Sequence, residues 1–266
     1  MREERRLVPD VVAAEWLKLR TVRSTHIVFG TALVIMLLGV LLAWQATVIW
    51  DGLTPERRAR FVLSEPAGVV CWAGGLCLGV WGVLAVTSEY RTGMIRTTLT
   101  AVPGRSAVLA AKAGVVGTAA LAAGLVMTLV TFFATRLFIG DRPIPDYRTA
   151  VVSELPELLA RASMLPVYAL LGLGLAVLLR STAGAIVGLT MPWYLLPIFT
   201  GFLPETWGKR ISAFLPDSLP EQIAGGDNAT SIFGTFLPPA VAVAVAVAYA
   251  ALPLWAGAFV LNRRDA

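Results

Sequence analysis

Long apolar runs separated by short charged segments dominate the chain. Six stretches, 26–50, 67–88, 113–135, 162–179, 183–203 and 236–261, are predominantly apolar and contain no Asp, Glu, Lys or Arg. A helix needs roughly 20 mostly apolar residues to cross about 30 Å of hydrocarbon, so each stretch predicts a membrane-crossing helix. The Val-Ala alternation from Val241 to Ala248 has the period of a strand. Within so long an apolar run a helix is predicted instead, because a lone strand cannot satisfy its backbone in lipid. Pro192 and Pro197 in the fifth stretch and Pro253 in the sixth each remove a backbone donor and predict kinks. Gly75 with Gly79, and Gly184 with Gly188, have GxxxG spacing, which predicts close helix packing inside the bundle ahead of a dimer contact.

Composition agrees with this pattern. Of 266 residues 57% are apolar and only 15% charged, and the mean hydropathy is +0.74. Too few charges are present to clothe a soluble core, so a soluble enzyme, a disordered chain and a disulfide-stapled secreted domain all fit poorly. The net charge of +5 is better explained by membrane topology than by nucleic acid. An even number of spans puts both termini on one side. That side carries 13 of the 22 Lys and Arg; the other carries 9, over more residues, with 11 of the 17 acidic residues. The excess of cations predicts cytoplasmic termini. The charged start of the chain shows no cleavable signal pattern, so the first span is expected to act as its own insertion signal.

Three segments outside the spans carry information. In 8–25, Asp10 after Pro9 predicts a helix N-cap, and Val8, Val12, Leu19 and Val22 share a face that Trp16 flanks. Lys18, Arg20 and Thr21 lie away from it, as in a helix lying on the inner membrane surface. Glu15 falls on the apolar stripe; it is either neutralised by Lys18 or paired with a neighbouring helix or another subunit. The loop 89–112 is compatible with a short helix up to the turn signal Val102-Pro103-Gly104. Glu89 and Arg96 share one face with Gly93 between them, and Ser106 is a candidate cap for the helix leading through Lys112. This loop reads either as a docking element for a cytoplasmic partner or as a solvated connector. In 204–235, Trp207, Ile211, Phe214 and Leu215 predict a short helix in the outer interface or dipping into the bundle. The outer loops 51–66 and 140–161 each contain a candidate short amphipathic helix.

Catalytic patterns are lacking. Cys71 and Cys77 point to different helical faces, and the single histidine, His26, marks the start of the first span. There is no HExxH, no intramembrane Asp pair and no GxxxxGK[ST]. The Gly172-Leu-Gly174 fragment lies mid-span with no strand before it, and the Asn228-Ala-Thr230 acceptor triplet is too short to use. Spans without charge also weigh against an ion-coupled carrier, which places ionisable groups at membrane depth.

Three motifs nevertheless resemble one family, the ABC-2 type permease subunits of ABC transporters in their actinobacterial style. Ala14-Glu15-Trp16-Leu17-Lys18-Leu19-Arg20-Thr21-Val22-Arg23-Ser24-Thr25 is similar to the family's opening helix. Thr87-Ser88-Glu89-Tyr90-Arg91-Thr92-Gly93-Met94-Ile95-Arg96-Thr97-Thr98-Leu99 resembles the segment leaving span two. Pro103-Gly104-Arg105 and Lys112 continue that loop. With the six spans and the tight Arg180-Ser181-Thr182 connection, the resemblance covers nearly the whole chain.

The resemblance implies an all-α integral membrane protein forming one permease domain, 1–266, in the bacterial plasma membrane. It implies a dimer of permeases, identical or not, driven by two separate cytoplasmic ATPase subunits that use ATP and Mg; this chain itself would bind no cofactor or metal. By analogy, residues 89–100 hold a coupling helix, with Glu89, Tyr90, Arg91, Thr92, Gly93 and Arg96 at the ATPase. Residues 15–23 form a connecting helix that includes Glu15, Trp16, Lys18, Arg20 and Arg23. Substrate passes between the two permeases along spans two and five, and 204–235 forms a re-entrant element near the exit. Export by alternating access is the implied function. Competing readings are a six-span membrane anchor that recruits partners without transport, and an ion-coupled carrier. The aromatics Trp44, Trp72, Trp81, Trp193 and Tyr194 suit either an amphipathic cargo or the membrane interfaces.

Overall fold

The structure, a computed structural model, describes residues 2–61, 63, 65–94, 104–144, 150–225 and 237–263, with backbone alone for 2–8. Among them the chain is helical, with no strand. Helix α1 (Arg2–Thr21) is followed by α2 (Arg23–Gly52), the short α3 (Pro55–Arg58), α4 (Pro66–Thr92), α5 (Arg105–Ile139) and α6 (Val151–Leu179). Then come α7 (Thr182–Thr190), a π-helical turn (Met191–Leu195), α8 (Leu196–Thr200), α9 (Glu205–Ser212), α10 (Leu219–Ile223) and α11 (Pro239–Arg263). Six helices are long and apolar enough to cross a membrane: α2, α4, α5, α6, the composite Thr182–Thr200 and α11. The Val-Ala run is helical, within α11.

The first four spans are longer than the apolar stretches that predicted them, whereas the fifth, Thr182–Thr200, and the sixth, Pro239–Arg263, are slightly shorter than the 183–203 and 236–261 stretches. The 35 residues of α5 extend about 52 Å, well beyond roughly 30 Å of hydrocarbon, so its polar first turns stand clear of the apolar core. Helix α6 begins eleven residues before its apolar stretch and passes through Pro156 and Pro166. The expected cap at Asp10 is not used: α1 begins at Arg2 and runs through Pro9. Ser106 likewise gives way to Gly104, whose carbonyl accepts the Ala107 amide at 3.0 Å.

Proline acts differently in the two spans. Between α7 and α8 the chain widens into the π turn, bracketed by Pro192 and Pro197. Each missing N–H removes one rung of the α ladder, and the wider turn accommodates the loss. Helix α11 runs unbroken through Pro253, where Gly174 of α6 leaves room for the proline backbone.

Helices α4 and α6 form the buried centre, while α2, the broken fifth span and α11 lie at the periphery. The central pair meets backbone to backbone. A Cβ added at Gly82 would run into the Ala169 carbonyl oxygen, and one at Gly172 into the Gly79 carbonyl oxygen. Gly75 faces Tyr168 and Trp193, and Gly79 faces Leu189, so this GxxxG pair packs within the chain as its spacing predicts. Around the seam lie Leu78, Val83, Leu165, Ala169 and Leu173, all fully or almost fully buried.

Gly82→Ala and Gly172→Ala are each expected to destabilise the bundle by about 1–3 kcal/mol, the usual cost of forcing atoms into a packed core. Gly30, which has nothing within 4 Å of its Cβ position, is the control: Gly30→Ala should be neutral or slightly stabilising. Thermal melts in detergent check both, and an unchanged midpoint for Gly82→Ala would show that the seam is looser than described.

Candidate functional site

The segment between α1 and α2 is poor in helix formers. Thr21, Val22, Ser24 and Thr25 are β-branched or carry hydroxyls that compete for backbone partners. Thr21 Oγ1 donates back to the Leu17 carbonyl at 3.0 Å, and Val22 adopts an extended conformation, φ −81° and ψ 126°. The chain therefore breaks at Val22, and α1 turns away from α2 to lie across the start of α5.

That turn brings together four charges distant in sequence. Lys18 Nζ donates to Glu15 Oε1 at 2.7 Å and to Glu89 Oε1 at 3.0 Å. Lys112 Nζ donates to Glu89 Oε1 at 2.8 Å and also to Glu15 Oε2. The four form a closed ring of alternating sign, in which every lysine touches both glutamates. Glu15, Glu89 and Lys112 are buried, at 3%, 4% and 6% exposure, and Lys18 is half-buried. The ring ties α1, the last turn of α4 and the first turns of α5 at one point.

Local sequence positions each member. Near the end of α4, Thr87, Ser88 and Thr92 donate their hydroxyls back to carbonyls of the same helix. Glu89 is thus the group in this turn that reaches across to the neighbouring helices. Gly93 then ends α4 in a left-handed conformation, φ 71°, which glycine adopts without steric cost. Burial works against the Lys18 ammonium, but the hydrogen bonds and charges of Glu15 and Glu89 outweigh it and raise the Lys18 pKa above its ordinary value.

The two readings of Glu15 are thereby resolved: it pairs with Lys18 and with the neighbouring helix together. Among the other residues singled out by sequence, Arg91, Thr92 and Gly93 are exposed, and Tyr90 is half-buried beneath the Arg180 guanidinium, 5.6 Å from its ring. Glu89 turns inward and presents no carboxylate to a partner. On α1, Trp16 and Arg20 are exposed, while Arg23 is the first residue of α2. Arg96 and the rest of 95–103, including the first two residues of the turn signal at 102–104, lie outside the described residues.

Sequence reading did not bring Lys112 to Glu15 and Glu89; its only signal was an acidic residue on an apolar stripe. It also missed Arg180, which caps α6 in a left-handed conformation at φ 50°. The tight connection itself is as expected, with Ser181 Oγ accepting the Gly184 amide at 3.2 Å to start α7. Arg105 Nη1 donates to the Leu261 carbonyl at 3.0 Å, so the end of α11 sits on the same side of the bundle as α1.

The opposite end carries ion pairs of its own. Arg142 binds Asp51 through two hydrogen bonds of 2.9 and 2.7 Å, and Arg136 meets Glu154. Arg161 binds Glu157 at 2.5 Å and approaches Glu65 at 3.6 Å. Burial raises the Glu65 pKa although Arg161 opposes the shift. In the segment after span five, Trp207, Ile211 and Phe214 remain exposed while Leu215 is buried. Helix α10 packs on α6 and α11, anchored by buried Gln222, which donates to the Ala213 carbonyl at 2.8 Å and accepts the Leu237 amide at 2.7 Å. Trp193 and Trp81 are buried; Trp72 and Trp44 are exposed. Cys71 and Cys77 are free thiols with different neighbours, Thr128 and the Val28 carbonyl. No group of three or more His, Cys, Asp or Glu arranged to hold a metal occurs among the described residues.

No family model matches this chain, and no curated protein matches it. What the fold defines, among the described residues, is an all-helical protein with six helices able to cross a membrane and a buried charge ring at the end where α1 meets α4 and α5.

Lys112→Met leaves three ring charges, one of them uncompensated, and should destabilise the protein by about 3–5 kcal/mol. In Lys112→Met/Glu15→Gln the remaining pair is balanced, so much of that loss should return; purely additive effects in thermal melts would refute the ring. The raised Lys18 pKa sets a pH dependence. Its contribution is complete below the ordinary lysine pKa of 10.5 and disappears as pH rises through the higher folded-state value. Protease cleavage within α1 should therefore be flat from pH 6 to 9 and accelerate only above about 10.5.

Proposed function

We propose that this chain is the membrane-spanning permease subunit of an ATP-driven exporter, with its termini in the cytoplasm of a bacterial cell. The observation that carries the reading is the charge ring, which fastens α1 and the exit of span two to span three as one body. Such a body can pass a push from a soluble motor into the helices, because packed helices shift between discrete arrangements as units. In this reading α1 is the connecting helix at the membrane surface, with exposed Trp16 at headgroup level. The chain's face toward the motor begins with Tyr90, Arg91, Thr92 and Gly93 at the end of α4 and continues through the loop that holds Arg96. Glu89, Glu15 and Lys18 act behind that face, holding it to the bundle. The motor is a pair of ATPase subunits using ATP and Mg, since the sequence contains no phosphate-cradling loop.

Two permease copies, identical or different, would enclose the path between their second and fifth spans. The π turn gives the fifth span a wider, proline-bracketed segment opposite Gly75. Helices α9 and α10 would form the re-entrant element near the exit. ATP binding draws the motor pair together, the docked loops follow, and the spans reorient; hydrolysis resets the state.

The test is to look for a Walker-A ATPase gene beside the gene for this chain, which the reading requires, and to co-express the two. The ATPase should co-purify, and ATP-dependent export should follow. Arg91→Glu should weaken ATPase capture at least about tenfold through like-charge or lost-pair effects at the docking face, with Arg91→Lys close to wild type. Capture and export both unchanged in Arg91→Glu would remove this face from the contact. A chain that captures partners but moves nothing would favour a membrane anchor.

A further inference from the structure

A sizeable cavity lies apart from the charge ring. It is an apolar groove of about 450 Å³ on the flank of the bundle, between α2 and α5, with Trp81 of α4 as its floor and α1 across one end. It opens outward: Leu33 and Val126 on its rims are 51% and 55% exposed. The recess exists because α5 contributes alanines, including Ala122, where larger side chains would fill it.

Two features identify what belongs there. The first is depth. On α2 the groove runs from Thr25 to Met36, eleven residues or about 16 Å, which matches one leaflet of a hydrocarbon core about 30 Å thick. A partner's transmembrane helix would need a face running through both leaflets, whereas one acyl chain needs only this depth. The second is charge. Arg20 lines the groove at the α1 end, is exposed, and makes no ion pair among the described residues. Trp16 stands beside it at the mouth, 48% exposed, as an aromatic at headgroup level does. The Trp81 indole, the polar group on the floor, is already satisfied by Thr25 Oγ1 at 3.3 Å, so the interior asks for hydrocarbon alone.

The geometry points to a phospholipid site: one acyl chain of an anionic lipid lies in the groove between α2 and α5, with its phosphate at Arg20. The site stands apart from the transport reading, since it requires only that the bundle sit in a bilayer. A lipid held there would fill the space between α1 and the spans beside the charge ring.

Native mass spectrometry of the full chain, taken from nanodiscs of equal dioleoyl phosphatidylglycerol and dioleoyl phosphatidylcholine, tests it. One phosphatidylglycerol should be retained per chain in preference to phosphatidylcholine. Arg20→Gln, a surface change, should lower phosphatidylglycerol retention about fivefold and leave phosphatidylcholine unchanged, as expected for one cation at the membrane surface. Ala122→Phe, which fills the groove from an exposed position, should abolish retention of both. An unaltered lipid ratio in Arg20→Gln overturns the headgroup assignment, and full retention in folded Ala122→Phe overturns the groove. Efficient disulfide cross-linking between copies through Leu33→Cys in native membranes would assign the groove to a second copy and overturn the proposal as well.

Discussion

Removing an ion from water costs several kcal/mol even after the protein relaxes, and that cost governs the end of this bundle where α1 meets α4 and α5. Two carboxylates and two ammonium groups share one site there, and three of the four are almost completely buried. The arrangement is tolerable because it is closed: Glu15 gives one oxygen to each lysine, and Glu89 Oε1 accepts from both. Position follows from this balance. Helix α1 packs Leu19 against the core, and the ring fixes its register along α5. Sliding α1 along α5 by one turn would separate Glu15 from Lys112 and expose each to an apolar surface.

The rest of the bundle is held by a different interaction. Helices α4 and α6 approach so closely at Gly82 and Gly172 that neither position admits a side chain. In lipid, apolar surface gains little by leaving its surroundings, so association depends on such close van der Waals fit. The central seam therefore resists deformation, while the charge ring sits beyond it as a separate clasp. Displacement of the α1–α4–α5 corner is consequently transmitted along whole helices rather than absorbed within them.

The spans were legible because hydrophobicity is a local property. Four of the six apolar stretches lie wholly within helices of membrane-crossing length, and the fifth and sixth overrun theirs, Thr182–Thr200 and Pro239–Arg263, by a few residues at one end. Helix ends were less so. Asp10 and Ser106 are sound caps by residue type, yet α1 starts at Arg2 and α5 at Arg105, since a single capping hydrogen bond is a small term in helix stability. The ring was only half visible. Glu15 on an apolar stripe announced a partner, but Glu15 and Lys112 are 97 residues apart, and pairing at that distance depends on where helices pack. The same limit hid the groove, which is made by what three helices leave empty rather than by any motif.

The two ends of the bundle differ in kind. At the end where α1 lies, one ring couples three helices, so its charges act together and loss of one affects all. At the other end the ion pairs include Arg142–Asp51, Arg136–Glu154 and Arg161–Glu157, with Glu65 also near Arg161. Two of them are local, joining α5 to α6 or closing one turn of α6, and Arg142–Asp51 is largely solvated. Pairs of this type contribute little individually and can exchange partners at low cost. The fifth span adds to the contrast, because its π turn contains Pro192 and is followed by Pro197, neither of which can donate a ladder hydrogen bond. A bundle clasped firmly at one end and loosely at the other deforms preferentially at the loose end. Force applied to the clasp would therefore appear as movement around the π turn and helices α9 and α10.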